Sequence, residues 1–146
     1  MPTAIAVTSD LIFSTKISGT AAALGLEART VSTPDALQAA LSRGEAGLVM
    51  VDMSLPGDLG IRSVERAAAH PSRPTVLAFF SHVHGALGEA ARRAGADPVM
   101  PRSRFSTELP ALLQKYCLSI QSDAVSGRGT AGTNPAARSG DALGES

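Results

Sequence analysis

Two runs of the chain, Leu48 to Val51 and Thr75 to Phe80, are apolar with almost no polar alternation. A strand with one wet face alternates, so runs of this kind belong to strands covered by helices on both faces. The segments between them fit. Ala4 to Val7 is a shorter apolar run, followed by Phe13, Ile17, Ala21 and Leu24 at helical spacing. Gly25 is placed to close that helix in a left-handed conformation, and Ala28 to Val31 reads as a weak second strand. Thr33 can cap the next helix, with Pro34 in its first position and Leu37, Ala40 and Leu41 on its inner face.

After the central strand, Ile61, Val64 and Ala68 mark a third helix that stops at His70-Pro71. Leu87, Ala90, Ala91 and Ala94 mark a fourth, ending at Gly95 before a short strand around Val99 and Met100. Ser106 is expected to cap the last helix, which carries Leu109, Leu112, Leu113, Tyr116 and Ile120, with Pro110 in its first turn. Five strands alternating with five helices over about 120 residues require right-handed crossovers, hence a doubly wound α/β fold on a parallel sheet.

Aromatic residues supply only 3% of the 146 positions, so the core must rest on Ala, Leu, Val and Ile. Thirteen basic and thirteen acidic residues cancel, which removes the positive field that direct nucleic-acid binding needs. The start, Met1-Pro2-Thr3, lacks the basic and apolar regions of a secretory signal, and no apolar run approaches a membrane span. A cytoplasmic protein without a membrane segment is expected. Cys117 is the only cysteine and sits among Leu113, Tyr116 and Ile120, where packing is its expected role. From about Ser122 the composition turns to Ser, Gly, Ala, Asp and Arg, too little apolar surface to offset ordering, so residues 122–146 are expected to be a disordered tail.

In an open parallel sheet ligands bind beyond the carboxyl ends of the strands. The residues there are Thr8, Ser9 and Asp10 after the first strand, Asp52 after the third, Ser81 and His82 after the fourth, and Arg102 after the fifth. Asp52 can be a reactive carboxylate or can cap the turn from Ser54 to Gly57. Asp10 can cap a helix. Arg102 can hold an anion, pair with Asp52, or stay solvated. His82 and His84 lie on one side of an extended segment with no third metal ligand nearby in sequence, and are read as a loop pair.

The segment VMVDMSLPGDLG resembles the third-strand region of the receiver domains of two-component signalling, in which an apolar strand ends in the phospho-accepting aspartate and a Pro-Gly turn follows. AGADPVMPRSRF resembles the stretch that leads into a receiver's last strand, and the order of elements agrees from about Ala4 to Gln121. The resemblance implies a flavodoxin-like sheet of five parallel strands with helices on both faces, a receiver-like domain over residues 1–121, and Asp52 at the phospho-acceptor position. Ser81 would supply the hydroxyl after the fourth strand, although counting from Pro74 puts Phe79 there, and Arg102 would replace the receiver's lysine. The following proline of a receiver is Ser103 here.

A receiver holds magnesium with an acidic pair after its first strand, and those positions read Thr8 and Ser9. Only Asp10 and Asp52 remain to hold the ion, and hydroxyls bind a hard divalent cation weakly. The expectation is therefore a pseudo-receiver that binds another protein, phosphorylation being absent or inefficient and no cofactor being required. The resemblance places its partner surface, for a signalling protein or a second copy, on the fourth helix, fifth strand and fifth helix, at Gly85 to Gly95 and Thr107 to Tyr116. Two alternatives stand beside it: a receiver phosphorylated on Asp52 with magnesium, and a small-molecule or nucleotide binder at the same rim.

Overall fold

A computed structural model describes residues 3–43, 46–81 and 85–118. The strands are β1 (Thr3–Val7), β2 (Glu27–Val31), β3 (Ala46–Asp52), β4 (Thr75–Phe80) and β5 (Val99–Pro101). They alternate with the helices α1 (Leu11–Ala23), α2 (Pro34–Arg43), α3 (Leu59–Ala69), α4 (Gly85–Ala94) and α5 (Arg102–Leu113), and a π-helical turn, Gln114–Leu118, follows. All strand pairs are parallel and the sheet order is β2-β1-β3-β4-β5. The doubly wound α/β fold expected from the two unbroken apolar runs is the fold the chain adopts.

Strand parity divides the interior into two layers. Ala4, Ala6, Leu48, Met50, Leu77 and Phe79 face α1 and α5, while Ile5, Val7, Val49, Val51, Ala78 and Phe80 face α2, α3 and α4. β3 is buried at six of its seven positions, as a central strand covered twice must be, whereas the edge strand β2 is buried at none. The stripes of α1 and α2 fall where the spacing put them, on Phe13, Ile17 and Ala21 and on Leu37, Ala40 and Leu41. Gly25 closes α1 at a φ of +76°. On α3 the buried stripe is Val64 and Ala67, and Ala68 is turned outward, one position away from the expected stripe.

The last helix differs from expectation. It begins at Arg102, four residues before Ser106, and its N-cap is Pro101. Pro110 therefore lies inside the helix, where it has no N–H to give the carbonyl of Ser106. The added turn is held by Phe105, which is fully buried against Phe13 and Phe79. Burial of a large aromatic ring outweighs the local preference for a start at Ser106. Ser106 instead accepts a hydrogen bond from the Lys16 ammonium of α1. Tyr116 is half-buried against the α1/α5 layer, and Ile120 lies outside the described residues, as do His82, His84 and the segment 122–146. Cys117 is packed away, and burial pushes its thiol up to about 11. Among the described residues no helix is long and apolar enough to cross a membrane.

Candidate functional site

The chain winds from β1 to β2 on one side and returns to β3 on the other, so the strand order reverses between β1 and β3. A crevice opens there beyond the strand ends. Val7 pairs with Val51, which carries Thr8 and Asp52 side by side past the last pair, and Asp52 lies level with Phe79 of β4. Parity turns Thr8, Asp52 and Phe79 toward the α1/α5 layer. Arg102, the first residue after β5, closes the row.

These side chains form one connected network. The Thr8 hydroxyl donates to Asp52 Oδ2 at 2.8 Å. The Arg102 guanidinium donates to the same oxygen at 2.9 Å and to Asp10 Oδ2 at 3.4 Å. Asp52 Oδ1 accepts the Ser54 amide at 2.9 Å, and the Asp52 carbonyl accepts the Leu55 amide at 3.3 Å. Asp52 thus caps the turn after β3, one of the two roles its position allowed. Gly60 closes that turn from below, since a Cβ there would lie 3.2 Å from the Asp52 carbonyl oxygen. Asp10 accepts the Phe13 amide at 3.0 Å and caps α1, while its own amide donates to the Thr8 hydroxyl at 3.2 Å.

Of the three roles open to Arg102, the geometry selects the ion pair. The guanidinium bridges two carboxylates, and its carbon lies 5.0 Å from the centre of the Phe13 ring and 5.7 Å from that of Phe79. Phe13, Phe79 and Phe105, three of the chain's four phenylalanines, form one cluster beneath it, Phe79 and Phe105 stacked with centroids 4.3 Å apart. An arginine suits such a seat because its planar, weakly hydrated cation stacks on rings while its edges pair with carboxylates. The Asp52 side chain is only 5% exposed, against 33% for Arg102 and 39% for Asp10.

The remaining sequence candidates sit apart from this network. Ser9 is exposed and Ser81 lies two residues past Phe79 with no hydrogen bond to Asp52. Ser81 lines an open groove with Ser54, Leu55, Gly57, Leu87 and one flank of Arg102. The described residues hold no group of three or more His, Cys, Asp or Glu side chains able to ligate a metal ion. Two contributors were not assigned these roles from the sequence, the Thr8 hydroxyl as a donor to Asp52 and the aromatic bed under Arg102. Phe79 at the position counted from Pro74 was the available signal.

The fold is similar to that of solved receiver domains. NtrX from Brucella abortus, solved in complex with ADP, is 20% identical over 88% of this chain with a TM-score of 0.68, and the chain spans about 30% of the length of that protein. A putative response regulator from Chloroflexus aurantiacus is 18% identical with a TM-score of 0.68, the match covering 78% of this chain and 95% of that one. The receiver domain of a sensor histidine kinase from Pseudomonas aeruginosa, with a magnesium ion coordinated in its active-site cleft, is 18% identical with a TM-score of 0.67, again over 78% and 95%. No protein-family model and no curated protein matches the chain. What these likenesses share with the chain is the flavodoxin-like architecture of five parallel strands and five helices.

Proposed function

We propose that this chain is a pseudo-receiver, a receiver-fold module that acts in the cytoplasm by binding another signalling protein and has no turnover of its own. The observation that carries the reading is that both Asp52 oxygens are engaged: Oδ1 takes the Ser54 amide, and Oδ2 takes both Thr8 and Arg102. Phosphoryl transfer to a carboxylate needs a free oxygen in line with phosphorus and cations that neutralise the developing charge. Here the oxygens are engaged, and a fixed guanidinium already neutralises them.

Magnesium, bound in the cleft of the Pseudomonas neighbour, does not fit these donors. It demands octahedral oxygen ligands at about 2.0–2.1 Å, supplied by carboxylates and water. The space between the two carboxylates that could serve, Asp10 and Asp52, is bridged by Arg102, and Thr8 and Ser9 add only neutral hydroxyls. A divalent ion there would sit against the guanidinium charge. In this reading Arg102 is the resident cation and holds the rim in one state. The proposed partner surface is the face formed by α4, β5 and α5.

Titration with magnesium and beryllofluoride, followed by amide NMR, tests the reading. It predicts unmoved resonances at Asp52, in α4 and in β5. Saturable shifts at those positions in the wild-type chain, absent from Asp52→Asn, would instead establish a phosphorylatable receiver.

A further inference from the structure

The two edges of the sheet are unlike. β5 has three residues and ends in Pro101, which has no N–H to offer, whereas β2 runs for five residues and pairs with β1 alone. The Val31 carbonyl accepts the Thr8 amide on the β1 side. Backbone groups alternate in direction along a strand, so Glu27, Arg29 and Val31 turn theirs to β1 while Ala28 and Thr30 turn theirs outward. Glu27, Arg29 and Thr30 are exposed. Glu27 and Arg29, two residues apart, share one face of the strand with opposite charges, and neither enters an ion pair among the described residues.

We infer that β2 is a self-association edge, pairing antiparallel with β2 of a second copy of this chain and joining two five-stranded sheets side by side. Charge complementarity singles out the copy and the register. A two-fold axis makes the pairing antiparallel, and residues with outward backbone groups must stand opposite one another. With Ala28 opposite Ala28, the pair exchanges two main-chain bonds, and Glu27 of each copy faces Arg29 of the other. Both ion pairs then fall at positions without main-chain bonds, where opposing side chains come closest. Every neighbouring register is worse. Ala28 opposite Thr30 sets Arg29 on Arg29, and Ala28 opposite Leu26 sets Glu27 on Glu27. Centring on Thr30 sets Arg29 opposite Val31 and leaves Glu27 beyond the strand end.

The charges on the flanking helices do not oppose this register. Lys16 of α1 donates to Ser106 of α5, Asp35 of α2 pairs with Arg66 of α3, and Arg43 stands where α2 hands over to β3, two strands in from the edge. Strand length sets the strength. Five residues give few main-chain bonds, and the contact covers much less than the roughly 800 Å² per partner of a standard interface. The pairing is therefore weak and sensitive to protein concentration. It leaves β5, at the far edge of the sheet, free for another protein, and it does not depend on whether Asp52 is ever phosphorylated.

Sedimentation of the full chain from about 10 μM to about 1 mM tests the proposal, since a small contact belongs in that range. The expected mass rises with concentration toward twice the monomer. Glu27→Arg alone and Arg29→Glu alone each place like charges at both pairs, and each is expected to stay monomeric with an unchanged circular dichroism spectrum. An equimolar mixture of the two is expected to associate as a heterodimer, and the double variant Glu27→Arg, Arg29→Glu to associate like wild type. Arg93→Glu on α4 is expected to leave the association unchanged. A wild-type mass that stays monomeric throughout assigns the edge to some other occupant, whether residues 119–146 or a foreign chain, and overturns the proposal. Single variants that associate like wild type, or a mixture that stays monomeric, overturn it as well. So does association lost in Arg93→Glu and kept in Glu27→Arg, although that outcome would support the α4–β5–α5 face as a partner surface.

Discussion

The rim of the sheet has two halves of opposite character. On the α1/α5 side Thr8, Asp10, Asp52 and Arg102 are joined by hydrogen bonds above a bed of three phenylalanines, with the Arg102 Nε alone left buried and without a partner among the described residues. On the α3/α4 side Ser54 and Ser81 line an open groove with no hydrogen bond from Ser81 to the carboxylate. One residue along β4 separates the two layers, Phe79 facing α1 and α5 and Phe80 facing α2, α3 and α4. The carboxylate that could do chemistry is thus the one whose two oxygens are both already engaged. A reactive rim would need the reverse, with acceptors held short of partners until a ligand arrives.

Substitutions can break or sharpen this contrast. The largest effect is expected from Phe79→Ala, which opens a cavity under Arg102 and removes its stacking partner. It should cost about 3–5 kcal/mol in a urea unfolding curve. Arg102→Ala comes next, because it strands a carboxylate that is almost fully buried. Losing one partner of a fully buried pair costs about 3–5 kcal/mol, and the one-third exposure of Arg102 lowers the expectation to about 2 kcal/mol. Thr8→Val keeps the shape and deletes both the hydrogen bond to Asp52 and the one accepted from the Asp10 amide, for a loss of about 1–2 kcal/mol in thermal unfolding. Ser81→Ala, on the open side, should fall within about 0.5 kcal/mol of wild type. If Ser81→Ala costs as much as Thr8→Val under the same conditions, the two halves are not different in kind and the contrast fails.

Much of this architecture is legible in the sequence because hydrophobic periodicity is a local signal. Leu48 to Val51 and Thr75 to Phe80 announce doubly covered strands wherever they later pair, and Gly25 and His70-Pro71 end helices by backbone geometry alone. The start of α5 was not legible. Ser106 has the chemistry of a cap, but Phe105 finds its rings on α1 and β4, and only the assembled core shows that its burial draws the helix back to Arg102. The site divides in the same way. The strand-end positions of Asp52 and Arg102 follow from the strand pattern, and capping by Asp10 and Asp52 follows from local turn chemistry. The choice among three roles for Arg102 depends on groups 50 and 92 residues away, a distance over which no periodicity carries information.

The central claim is that Asp52 is closed to phosphorylation by the partners it already holds. Incubation of the full wild-type chain with magnesium and acetyl phosphate, followed by intact-mass spectrometry under conditions that preserve acyl phosphates, tests it directly. The account predicts an unmodified mass. A chain carrying one phosphoryl group, lost in Asp52→Asn, would contradict it.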